Sequence, residues 1–342
     1  MIVVAVAVVL VFGPLLLGLR GLFQARRPEP AVPWNWKRTI SSALLYPRAF
    51  NLTFFVQELF LVLPKALTPG VRPALFHDNH SWQGENPLTS LFQGTGALAI
   101  LLSGVVCALL LQRRSPRSST VRLFLIWMAY NGLFQALPQF VIGAISPVSD
   151  VGMAMNYLRL GSTARTTAAL AALALIPPAA LWLTRHLLSA AEHAAQLSSI
   201  RERNRFIFQV ATLPALLAVV LIIPFRIPRE LIEVVGPPVV VTLVGMVWVQ
   251  AGAWRFDRVT SRGEAGAGSI AYPLSAVLVL LLVFQLFLKP GIPFYQVRSC
   301  PGTEGETPAS PPQSAWSSGG QSPLPARGAC LRASQTQIPL TG

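Results

Sequence analysis

Eight apolar stretches run along this chain, at about residues 2–19, 50–67, 94–111, 123–145, 166–184, 206–225, 234–254 and 269–288, and the segments between them alternate in charge. Each stretch is near the roughly 20 residues that cross a bilayer's hydrocarbon core as a helix. Four connections are basic: 24–49 (Arg26, Arg27, Lys37, Arg38, Arg48), 112–122 (Arg113, Arg114, Arg117, Arg122), 185–205 (Arg185, Arg201, Arg203, Arg205) and 255–268 (Arg255, Arg258, Arg262). The segments between those hold only Arg72, Arg159, Arg165, Arg226 and Arg229, beside Asp78, Glu85, Asp150, Glu230 and Glu233. Loops rich in Lys and Arg stay on the cytoplasmic side. The pattern predicts an all-α, polytopic integral membrane bundle of about eight transmembrane helices, in the plasma (inner) membrane, with both termini extracytoplasmic.

Composition agrees with that assignment. With 53% hydrophobic and 12% charged residues and a mean hydropathy of +0.54, the chain has too little polar surface to cover a water-soluble globule of 342 residues. Its net charge of +14 would in a soluble protein suggest nucleic acid. Here the basic residues sit in short clusters beside apolar spans, so the partner they imply is the lipid bilayer and not nucleic acid. No protein partner is legible. The first stretch is read as a span and not as a secretory signal, because Arg20, Arg26 and Arg27 follow its apolar run where a signal carries its charge in front. Trp34, Trp36 and Tyr46 suit a segment in the headgroup layer, and Pro177 with Pro178 predicts a kink in the fifth span.

Two regions follow: a transmembrane domain over 1–297, and a tail over 298–342 whose Ser, Gly, Pro and Thr predict disorder. Of three cysteines, Cys107 falls inside a span and Cys300 and Cys330 in the tail, so no disulfide framework or zinc-type cysteine pair is present.

Chemistry has to come from the polar residues placed in or beside the spans. Glu58 is the carboxylate well inside an apolar stretch, next to Gln57. Ionised near mid-membrane it would cost about 2.5 to 3.5 kcal/mol, so it must be protonated, paired or facing a wet cavity. Lys65, two turns along the same helix face, is one candidate partner. Asn131, Gln135 and Gln139 recur at intervals of four and form an amide stripe on one face of the fourth span, which lipid cannot satisfy. They predict a polar interior shared with Gln57 and Glu58. In the loop FHDNHSWQGENP, His77 and His80 are three apart and could supply two imidazoles to a divalent ion such as zinc, with Asp150 or Glu85 as a third ligand. Gly94, Gly96 and Ala97 open the third span with small residues that let another backbone come close.

Residues 50–155 resemble the membrane core of the site-2 protease family of zinc metalloproteases. The resemblance rests on a glutamate in the second span, a Gly- and Trp-containing outer loop, a small-residue helix start, and a helix carrying Asn131 and Leu137-Pro138 followed by Asp150. That family's first motif is His-Glu-x-x-His, in which two histidines hold zinc and the glutamate is general base. In Gln57-Glu58-Leu59-Phe60-Leu61, Glu58 stands at the base position while Gln57 and Leu61 replace both zinc ligands. The resemblance implies a degenerate, non-proteolytic relative, or a hydrolase with an altered metal site built on His77, His80 and Asp150. Two further readings stand beside it: a small-solute or proton-coupled transporter using Glu58 and the amide stripe, and a membrane scaffold.

Overall fold

A computed structural model describes residues 2–24, 32–113, 118–257, 259, 261 and 269–294; the tail predicted to be disordered lies outside them. The chain is a bundle of long apolar helices: α1 (Ile2–Gln24), α2 (Trp36–Ala66), α3 (Leu88–Arg113), α4 (Ser119–Ile145), α5 (Asp150–Tyr157), α6 (Ser162–Leu188), α7 (Ile200–Arg226), α8 (Leu231–Arg255) and α9 (Ala271–Leu288). Seven have the length and hydropathy of a membrane crossing on their own, and α4 with α5, bent by 56°, completes the eighth. Each of the eight predicted stretches falls on one of these spans. Helix starts follow local chemistry: the Asn35, Ser118, Ser149 and Ser199 side chains accept from backbone amides of the first turns of α2, α4, α5 and α7. Pro177 and Pro178 both lie within α6, which continues as one helix from Ser162 to Leu188.

Contacts at the two ends establish the alternation. At one end, Arg229 between α7 and α8 pairs with Asp78 between α2 and α3 at 3.1 Å. A small sheet lies at the same end. Its strands β1 (Arg72–Leu75) and β2 (His80–Gln83) form an antiparallel hairpin, and β3 (Ile292–Pro293), just after α9, pairs with β1. At the other end, Asn35 and Arg38 before and at the start of α2 bind Glu192 between α6 and α7, at 3.2 and 3.0 Å. Arg122 at the start of α4 donates to Ser189 there as well. Trp248 and Trp254 donate to the Val9 and Leu17 carbonyls at 2.9 and 3.0 Å, which sets α1 parallel to α8. The start of α1 and the end of α9 therefore share the sheet end of the bundle, and among the described basic residues Arg38 and Arg122 lie at the opposite end.

The core is built around α2 and α4. Tyr46, Trp127, Tyr130 and Phe134 are fully buried, with ring centroids as close as 4.7 Å. Leu102, Val106, Val220, Leu278 and Val279 face outward at 51 to 65% exposure, the positions a bilayer would cover. Small residues set helix distance, as expected of the α3 start: a Cβ on Gly96 would stand 2.8 Å from the Leu61 side chain, and one on Gly94 2.8 Å from Ala154. Helices α3 and α4 come close at Gly104 and Gly132, where a Cβ on Gly132 would be 2.6 Å from the Gly104 Cα.

Candidate functional site

The length of α2 carries polar groups nearly every turn, and several of them meet partners on other elements. Near the basic end, Trp127 donates to Ser42 (3.0 Å), and the Tyr46 and Thr242 hydroxyls are 3.2 Å apart. Midway, Gln135 on α4 reaches the Phe50 carbonyl (3.4 Å) and the Asn131 side chain (3.3 Å). One turn on, Gln139 donates to Gln57 at 2.8 Å. The amide stripe thus points into the bundle against α2, as its spacing requires, and meets the Phe50 carbonyl and the Gln57 side chain there.

Glu58 points elsewhere in the interior. Only 4% exposed, it receives His80 Nδ1 at 2.7 Å from the tip of the β1–β2 hairpin. The other ring nitrogen, Nε2, lies 3.0 Å from Lys65 Nζ and 3.2 Å from Gln93 Oε1. Lys65, fully buried at the sheet end of α2, also donates to Gln93 Oε1 at 3.1 Å and sits 4.0 Å from the centre of the Trp82 ring. Trp82 in turn stacks on His80 at 13°. The pairing of Glu58 with Lys65 anticipated along one helix face exists, but through an imidazole brought in from a loop.

With Lys65 as the ammonium, hydrogen-bond chemistry assigns the remaining protons in this chain. A Lys ammonium can only donate, so His80 Nε2 accepts from it and Nδ1–H donates to the Glu58 carboxylate. One negative and one positive charge then bracket a neutral ring, which is how a low-dielectric interior tolerates both. Passing one proton from Lys65 to His80 and one from His80 to Glu58 gives three neutral groups without moving net charge out of the site. Asp150, half-buried at the start of α5, lies close enough for its charge to act on Glu58, His80 and Lys65.

The structure separates the two loop histidines. A turn closed by the Phe76 amide on the Asn79 carbonyl (2.8 Å) sends His80 toward Glu58, while His77 lies 3.4 Å from Asp78, which Arg229 binds from the other side. Burial lowers the pKa of His77 and raises that of Asp78, the second effect opposed by His77 and Arg229. Among the described residues no three His, Cys, Asp or Glu side chains come together as a metal site, so His77, His80 and Asp150 do not form a ligand set. Glu85, the other proposed third ligand, is exposed. The positions that hold zinc in the site-2 protease motif do not fit the metal either. Gln57 and Leu61 pack on Gly96, and the Gln57 amide is occupied by Gln139. Neither offers the imidazole nitrogen or thiolate that zinc prefers.

Gln93, Trp82 and the Asp78–Arg229 pair were not singled out in the sequence. The available signal was the need of Glu58 and Lys65 for buried partners, which Gln93, a polar residue at the sheet end of the third span, meets. Comparison of the chain with protein families, characterised proteins and solved structures gave no match.

Proposed function

We propose that this integral membrane protein handles protons at its sheet end, with Glu58, His80 and Lys65 as the relay, and couples that exchange to a small solute. The observation that carries the reading is the buried sequence carboxylate, imidazole, ammonium, with hydrogen bonds of 2.7 and 3.0 Å and both outer members on one helix. Ionisable groups inside membrane helices are costly and mark ion and proton pathways. The amide ladder from Asn131 to Gln139 and Gln57 extends polar character toward the bundle centre. In this reading the basic end is cytoplasmic, the relay and both termini face outward, and the membrane is the plasma (inner) membrane.

A second reading, a non-proteolytic relative of the site-2 proteases, is favoured by one feature. Glu58 keeps the general-base position and a histidine bonded to it, while Gln57 is tied into a packing contact in place of a zinc ligand. The two readings share the base and differ in whether water is activated or a proton is passed on.

Proteoliposomes with an entrapped pH dye test the relay. An imposed solute or pH gradient should drive proton movement in the wild type and in Glu85→Gln, an exposed loop control, with a loss of at least tenfold in Glu58→Gln and His80→Asn. Equal flux in all four, or no flux above protein-free vesicles, contradicts the proposal. Orientation is tested separately: with Cys107, Cys300 and Cys330 replaced, Ser81→Cys should react with an impermeant thiol reagent added to intact cells. Reaction only after the inner face is opened would reverse the assignment.

A further inference from the structure

The relay's middle member, His80, and Trp82, which stacks on it and lies over Lys65, are both carried by the β1–β2 hairpin. The two ends of this hairpin meet at Gly70 and Gly84, with φ of 80° and 99°, and a Cβ on Gly84 would collide with the Gly70 carbonyl. Both backbone positions are conformations glycine adopts at little cost and other residues do not. Beyond that base, the hairpin is tied to the bundle at separate points. His80 holds Glu58, Asp78 at the tip holds Arg229 of the α7–α8 connection at 3.1 Å, and β1 pairs with β3 through only two residue pairs. Arg229 is itself held by Glu233 at 2.7 Å, so the bundle side of the tip contact stays in place without Asp78. A hairpin of four-residue strands has little stability of its own. Its closed position depends on these ties together with the burial of Leu75 and His77 and the Phe294 amide on the Pro73 carbonyl at 3.0 Å.

We infer that the hairpin is a lid, hinged at Gly70 and Gly84 and latched by Asp78 on Arg229, whose opening lifts His80 off Glu58 and Lys65 and admits solute from the aqueous phase to the relay. Closed, the lid completes the proton path; open, it breaks the path at its middle member and exposes an acid and an ammonium two turns apart on one helix. Substrate entry and proton transfer are thereby made alternatives. The inference rests on the proton-relay reading for its purpose, but the motion is measurable without any activity.

Hydrogen exchange read by mass spectrometry on the full chain in nanodiscs tests it, comparing wild type with Asp78→Asn and Arg229→Ala. Asp78→Asn keeps the shape of the tip and removes its charge. Amides of residues 72–83 should exchange together about tenfold faster in both variants, with α2, α3 and α4 unchanged, the pattern of a local opening. Unchanged exchange in the hairpin would overturn the latch. Faster exchange spread through the helices would also overturn it, since the ion pair would then hold the bundle and not a lid. A lid that opens in variants of a protein with no proton flux would leave this inference standing and remove the relay; flux without lid opening would do the reverse.

Discussion

Lys65→Met should destabilise the protein by about 3 to 5 kcal/mol, the largest effect expected of any single change at the site. Lys65 is fully buried and is the cation that balances Glu58 through His80. Removing one member of a buried charge pair leaves the other uncompensated, which costs far more than the net worth of the intact pair. Methionine retains the apolar stem and loses the ammonium that sits over the Trp82 ring, so the loss reports charge and hydrogen bonding, with little from packing. Glu58→Gln combined with Lys65→Met should recover more than half of that loss, because no unbalanced charge then remains. Denaturation in detergent, followed for the two single variants and the double, checks this. Additive losses would mean that the two residues do not communicate through the imidazole.

Gly132→Val should be nearly as damaging for a different reason. A Cβ there meets the Gly104 Cα at 2.6 Å and the Ile100 carbonyl at 2.7 Å, backbone atoms that cannot turn aside as a side chain could. Helices α3 and α4 must separate, and overpacking of this kind costs about 1 to 3 kcal/mol or more. The separation would also draw Gln93 on α3 away from Lys65, so the variant should lose relay function even where it still folds. Thermal stability beside proton flux checks both; a wild-type melting temperature would show that the two helices can part without cost.

The spans and their alternation were legible because hydropathy and loop charge are local properties that the bilayer itself selects. The amide stripe was legible for a similar reason: Asn131, Gln135 and Gln139 at intervals of four can only share a face, and lipid excludes them from the outside. What periodicity could not give was the partner of Glu58. His80 lies 22 residues away, in a loop whose side-chain directions follow from one turn at Phe76–Asn79 and the pairing of β1 with β2. That same turn parts His77 from His80, which spacing alone had suggested as a joint ligand pair. Spacing of three residues predicts a common face on a helix but not across a hairpin tip. The site-2 protease resemblance pointed to Glu58 as the acid–base residue; the environment around Gln57 and Leu61 is packing and not a metal site.

The central claim is that Glu58, His80 and Lys65 form one hydrogen-bonded proton relay, and the protonation of His80 tests it most directly. Nitrogen NMR of histidine-labelled protein in bilayers, with His80 assigned by its loss in His80→Asn, reads the two ring nitrogens separately. At neutral pH Nδ1 should carry the proton, donated to Glu58, and Nε2 should be a bare acceptor facing Lys65, with that signal perturbed in Lys65→Met. A His80 spectrum identical in wild type and Lys65→Met would contradict the account.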